Sequence, residues 1–375
     1  MFRDLAKMLS GSGPVNWDIA RQVSTWIATD GQPEGNVDPI ARMHVEELAR
    51  VAVLHVADVT GLETSASGGI VTLRPVGRAE WTQRTLDAYR PLLEKLATSL
   101  SAATGEDPAD MPDPSTDLLG GLTKVMSPVL LGMQSGFMVG HLSQRAMGQY
   151  DLPIPRPQSD ELLVVPATIT AFADDWSLPP DDVLLWVCLS EIAHHAVLSR
   201  PHVRARLEEL LGEYVGGFQP DTGALDQRLE GLDPMNPDAL QSVLGDPETL
   251  LGAMQSPGQE TTRRQLDALT AAIEGYVDHA LDLVGERLIG SYHSLTEALR
   301  RRRVERGDGD KFVERLFGLE LGQAQYDRGS AFVDGVVDRA GEPGLARLWN
   351  SARELPTPAE VDAPGLWLER IDIPD

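Results

Sequence analysis

The sequence has one cysteine, Cys188, among its 375 residues. A single cysteine excludes an intrachain disulfide and a zinc centre built from several thiolates. Aromatic residues make up only 5% of the chain, so aliphatic and alanine side chains must fill most of the core, which favours helices over a β-sandwich or barrel. Residues 1–17 lack the apolar run of a signal peptide. Together with the missing disulfides, this predicts a reducing, cytoplasmic location.

Positive charge is also scarce. Lysine and arginine number 32 against 57 acidic residues, which gives a formal net charge of -25 at pH 7. Such a surface repels polyanions, so neither nucleic acid nor an anionic membrane is an expected partner. The most apolar stretch, 126–142, contains Gln134 and His141 and is shorter than the roughly 20 residues of a membrane span. Nothing in the sequence predicts the oligomeric state.

Hydrophobic periodicity predicts a mainly α fold. A proline-rich segment near residue 150 suggests two regions, 1–150 and 151–375, which we expect to form one compact unit. Short strands are predicted at 69–73 and 162–170, and Pro166 would confine the second strand to a sheet edge. Glycines 132, 136 and 140 lie at four-residue spacing, which predicts a closely packed helix pair inside the core. The four-arginine run at 300–303 is interpreted as a helix C-terminal end, where cations complement the helix dipole.

The most informative helix begins at Pro180 and continues through residue 197. Its first half is apolar on every side, which predicts burial all round. Glu191 and His194 then follow three positions apart, so both side chains share one helix face. A buried carboxylate is costly unless it is paired with a cation or bound to a metal. The two residues are therefore a candidate site.

Their spacing matches part of the His-Glu-x-x-His motif, in which two imidazoles hold zinc and the glutamate activates a water. In this chain the run is Ser190-Glu191-Ile192-Ala193-His194. Glu191 occupies the position of the general base and His194 that of a zinc ligand, but Ser190 replaces the first histidine. Taken alone, Glu-x-x-His also fits a structural hydrogen bond between buried side chains, and that alternative stays open.

Two further acids strengthen the metal hypothesis. Glu274 and Asp278 lie one turn apart on a predicted amphipathic helix. In gluzincins, a Glu-x-x-x-Asp pair after the zinc helix supplies the third ligand and an aspartate that orients a zinc-binding histidine. The alternative is a solvated acidic helix face.

At this point the chain resembles the zincin-like, zinc-dependent metalloprotease or hydrolase family. The branch it resembles most is named for an association with deazaflavin-coenzyme biosynthesis, a link that no residue here supports. The segments that carry the resemblance are Gly13–Asp18, Gly148–Pro153, Leu185–Leu189, Glu191–His195, Glu274–Asp278 and Leu316–Glu320.

The resemblance implies a zincin-like fold with a small β-sheet beside the active-site helix and with 151–375 as the zincin-like region. It also implies zinc as cofactor, a peptide or protein as substrate, Glu191 as general base, and His194 and Glu274 as zinc ligands. Ser190 weakens the prediction of bound zinc. Asp278 is the best substitute ligand, and Ser190 is a poor one. His195 lies about 100° away around the helix and should point elsewhere.

Two functions follow from these observations. The first is a zinc-dependent peptidase or hydrolase with weak or lost zinc binding. The alternative is a catalytically silent relative that binds a peptide or protein in the former active-site cleft.

Overall fold

Helices account for most of the described chain, as the sequence predicts. The computed structural model describes residues 13–103, 114–218, 258–305, 307–319 and 322–373. The helices are α1 (Trp17–Ala28), α2 (Pro39–Thr60), α3 (Arg78–Ala103), α4 (Pro114–Arg145), α5 (Pro166–Asp175), α6 (Pro180–Leu198), α7 (Pro201–Gly216), α8 (Gln259–Leu288), α9 (Tyr292–Val304), α10 (Asp308–Phe317), α11 (Gln323–Leu345), α12 (Pro358–Asp362) and α13 (Pro364–Asp372), with two 3₁₀ turns at Ala346–Trp349 and Ala352–Glu354.

Close packing of α1 against α4 explains the predicted glycine stripe. A methyl group at Gly132 would lie 2.3 Å from the backbone oxygen of Asn16, and one at Gly140 would lie 2.8 Å from Ile27. Since neither distance is tolerable for a real carbon atom, the two backbones approach as they do only because these positions lack side chains. The prediction of a closely packed helix pair is confirmed for these residues.

A two-stranded parallel sheet is formed by β1 (Thr72–Pro75) and β2 (Glu161–Val164). The prediction of a small sheet is confirmed, but the predicted bounds of both strands are wrong. The strand predicted at 162–170 ends at Val164, because Pro166 begins helix α5. Proline suits the first helical position, where no backbone N–H is needed.

Helix α6 runs through the centre of the molecule and packs against α2, α5 and α8. Its side chains are buried almost without interruption from Val183 to Leu198, as its apolar first half predicts. No single helix in the described ranges has the length and apolar composition of a membrane span. Helices α6 and α7 meet the length and composition criteria only when they are taken together, and the chain bends by 87° at their junction.

Candidate active site

A cleft of about 160 Å³ lies where α6 meets α8 and the segment 146–152 that leaves α4. All five residues singled out in the sequence line it: Ser190, Glu191, His194, Glu274 and Asp278. The other lining residues are Trp81, Tyr89, Leu142, Arg145, Ala146, Met147, Gln149, Tyr150, Asp151, Leu152, Trp186, Val187, Leu299, Arg302, Arg303, Glu314 and Tyr326. The structure thus brings the candidate residues together, while their catalytic and metal-binding roles stay predictions.

His194 and Glu274 form the centre of the cleft. Both are buried, and His194 Nε2 lies 3.3 Å from Glu274 Oε1. The other ring nitrogen, Nδ1, lies 2.9 Å from the backbone oxygen of Ser190 and donates to it. Burial lowers the pKa of His194, but the Glu274 carboxylate outweighs burial and raises it to about 9. At neutral pH the pair is therefore a buried imidazolium–carboxylate ion pair.

The spacing of His194 and Glu274 matches the spacing of two zinc ligands. Two ligand atoms bound at roughly 2.0–2.1 Å to a tetrahedral zinc lie about 3.4 Å apart, and the separation of 3.3 Å between His194 Nε2 and Glu274 Oε1 fits this value. Catalytic zinc, however, takes three protein ligands. Among the described residues, no group of three or more histidine, cysteine, aspartate or glutamate side chains is arranged to hold a metal ion. The residues therefore do not fit a complete catalytic zinc site.

Asp278 lines the cleft but is held by Arg303. The guanidinium donates to both carboxylate oxygens, Nη1 to Oδ2 and Nη2 to Oδ1, each at 2.8 Å. The Arg303 side chain also stacks over the ring of Tyr326, 3.6 Å from its centroid. A bidentate pair of this kind is strong and fixed in geometry. Asp278 therefore already has a cationic partner, which competes with a metal ion or a histidine for its carboxylate.

Glu191 is buried and points at the backbone of the segment that follows α4. Its Oε2 accepts from the N–H of Gln149 at 3.0 Å, and Oε1 accepts from the N–H of Tyr150 at 3.1 Å. Burial raises the pKa of Glu191 to about 8, and the charge of Asp151 acts in the same direction. His194 and the two backbone N–H groups oppose this rise.

His195 points away from the cleft, as its position on the helix predicts. Its Nδ1 lies 3.0 Å from the Tyr150 hydroxyl, and its Nε2 lies 3.4 Å from Asp160 Oδ1. Burial would raise the pKa of Asp160, but hydrogen bonds, first from Ser67 and then from the N–H of Ala66, hold it well below its usual range. These contacts tie α6 to the loop before β1.

In zincins an edge strand beside the zinc helix binds extended substrate, so the resemblance implies that the strand predicted at 162–170 lines the cleft. Strand β2 does not line it, so this prediction is wrong. The segment 147–152 lies between strand β2 and the cleft. Val165 N–H donates to the Met147 oxygen at 2.8 Å, and Gly148 forms an isolated antiparallel bridge with Val164. Because β1 pairs with β2 on the other side, β2 does not offer the free edge on which an extended peptide could add as a strand.

Sequence reasoning missed two sets of cleft residues. The segment Gly148–Pro153 is one of those that resemble the zincin-like family, but its prolines predict a domain boundary rather than a wall of the cleft. Arg302 and Arg303 lie in the last turn of α9, which confirms the predicted helix end, but the sequence does not predict their partners: Arg302 lies 3.3 Å from Asp151, and Arg303 pairs with Asp278. The signal available in the sequence was an arginine run in a chain where cations are scarce.

The comparisons with known proteins identify a family and a similar fold. A family model described as zincin-like metallopeptidase matches residues 15–368. The chain belongs to this family. Its fold is similar to that of a proposed hydrolase with a novel fold from Chloroflexus aurantiacus, with a TM-score of 0.68 and 24% sequence identity, over 96% of this chain and 100% of that one. No curated protein matches the chain.

Proposed function

We propose that this member of the zincin-like family has weak or lost zinc binding and negligible peptidase activity. The observation that carries the proposal is the donor set. His194 and Glu274 are spaced for zinc, but Ser190 stands at the position of the first histidine, and Asp278 is engaged by Arg303. Two protein ligands are one fewer than a catalytic zinc site takes.

The state of Glu191 supports the same proposal. A general base must be ionised and aimed at the water that it deprotonates. Here each oxygen of Glu191 accepts a backbone hydrogen bond, and its pKa of about 8 leaves the carboxyl largely protonated at neutral pH. This chain's own residues therefore form a polar, charge-balanced cleft rather than a hydrolytic centre.

The second candidate function is binding of a peptide or protein segment in this cleft. It is favoured by two partly exposed ion pairs among the lining residues, Asp151–Arg302 and Asp278–Arg303. They present both signs of charge to the cleft, and a peptide segment offers complementary groups of both signs.

The test is metal analysis of protein purified without chelator, combined with a peptidase assay on an unstructured protein such as casein. We expect a zinc content far below one ion per chain and hydrolysis equal to that of Glu274→Gln, a control that removes one of the two remaining donors. Stoichiometric zinc with activity that Glu274→Gln abolishes would overturn the proposal. Binding of peptides in the presence of a chelator would support the second function.

A further inference from the structure

We propose that Glu191 is a positioning residue that anchors the cleft wall 147–152, and that Arg156 holds the same wall from the opposite side. The matching position in a complete zinc peptidase motif is the general base. In this chain the Glu191 carboxyl group accepts hydrogen bonds from the backbone of the wall. These contacts indicate a positioning role, and they do not depend on a metal ion.

The peptide unit that joins Gln149 to Tyr150 is held on both sides. Its N–H, on Tyr150, lies 3.1 Å from Glu191 Oε1 and 3.2 Å from Oε2. Its carbonyl oxygen, on Gln149, accepts from Arg156 Nε at 3.0 Å. One peptide group therefore lies between a guanidinium and a carboxyl group. Each contact polarises the peptide in the sense that strengthens the other.

Arg156 is buried, with only 7% of its surface exposed. Its guanidinium lies near the rings of Trp81 and Tyr89, 5.7 Å and 5.5 Å from their centroids, and it donates to Thr85 Oγ1 at 3.0 Å. No carboxylate lies within ion-pair distance of it in the described part of the chain. A buried cation without a direct partner is costly, so the carbonyl of residue 149 is a principal stabilising contact.

Glu191 packs closely against the wall at Gly148. A methyl group at Gly148 would lie 2.1 Å from Glu191 Oε1, so the close approach depends on glycine at this position. The wall is tied down elsewhere as well. Trp81 Nε1 donates to the Gly148 oxygen at 2.7 Å, and the Gln149 side chain accepts from the N–H of Leu163 at 3.2 Å.

The consequence for the cleft is the placement of Tyr150. Its ring stacks on His194 with centroids 6.2 Å apart and an interplanar angle of 20°. Since Glu191 and Arg156 hold the backbone of this residue, they fix the wall that faces the His194–Glu274 pair. Movement of Glu191 toward a reacting water would leave two buried N–H groups without acceptors, which is costly in itself.

Hydrogen exchange of the amides of Gln149 and Tyr150, followed by NMR in the presence of a chelator, tests the proposal. In Glu191→Ala and in Arg156→Gln, we expect the Tyr150 amide to exchange roughly tenfold or more faster, the effect of losing one buried hydrogen bond at this peptide group. Glu191→Gln keeps one acceptor oxygen and should give an intermediate rate. Ser190→Ala, which alters a neighbouring cleft residue without wall contacts, should leave the rate unchanged.

The double variant Glu191→Ala/Arg156→Gln separates this role from general loss of stability. If both side chains act on one peptide, the double variant should exchange no faster than the faster single variant, whereas independent effects would multiply. Unchanged exchange in both single variants, or equal acceleration in Ser190→Ala, would overturn the proposal. If Glu191→Ala fails to fold, Arg156→Gln and Glu191→Gln still decide it. Because zinc is chelated, the outcome does not depend on the function proposed above.

Discussion

Restoring the missing histidine with Ser190→His is the sharpest perturbation that the structure offers. Position 190 lies one turn before His194 and lines the same cleft. Four-ligand structural zinc sites bind with about 10–16 kcal/mol, or about 3 kcal/mol per ligand. A third ligand should therefore tighten zinc binding by roughly 100-fold. The proton that zinc displaces from His194 is lost in both forms, so it does not affect the comparison.

Calorimetric zinc titration at fixed pH would measure the difference, with Ser190→Ala as a matched control that changes the residue without adding a donor. Ser190→His/His194→Ala should lose the gain, because it again leaves two ligands. If the unmodified protein binds zinc as tightly as Ser190→His, another residue already completes the site and the proposal of a silent relative loses its main support. If neither form binds, the remaining donors are not arranged for metal, and the His194–Glu274 pair is structural.

Three further predictions concern stability. The pKa of His194 is raised to about 9 by Glu274. The contribution of the pair to the free energy of unfolding is therefore complete below about pH 6.5 and is lost as pH rises through 9. Chemical denaturation at pH 6 and pH 9 should show a smaller difference in this free energy for His194→Gln than for the unmodified protein. Gly148→Ala should cost about 1–3 kcal/mol, and less in a Glu191→Ala background, because the clash is with that side chain. Gly275→Ala should also destabilise, because its methyl would lie 2.3 Å from backbone atoms of α11, whereas helix propensity alone predicts a gain; an unchanged or raised melting temperature would contradict this packing.

The sequence was most informative where a residue type leaves few options. The apolar run before Glu191 predicted a central buried helix, and α6 is one. The glycines of α4 predicted a close helix pair, because only a residue without a side chain permits such an approach. Periodicity also placed Glu274 and Asp278 on one helix face, and both line the cleft.

The contacts that define the cleft were beyond reach of these arguments, because they join segments far apart in the chain. Arg303 is 25 residues from Asp278, and the N–H group of Tyr150 is 41 residues from Glu191. Periodicity describes one element at a time and does not state which partner a charged side chain meets. For the same reason the edge strand was predicted too long, since Pro166 fits both an edge strand and a helix start.

Charge balance links the altered ligand set to the rest of the cleft. Glu191 and Glu274, which are buried, and Asp278, which is partly exposed, bring three acidic groups into one cleft, where uncompensated charge is costly. Each is balanced by the protein itself. Glu274 faces the imidazolium of His194, Asp278 faces the guanidinium of Arg303, and Glu191, with its pKa of about 8, holds a proton. Zinc would have to displace the His194 proton and add positive charge to a cleft already near neutrality. Under the proposed function, Ser190 and Arg303 act in the same direction: Ser190 offers no imidazole to zinc, and Arg303 already balances the charge of Asp278.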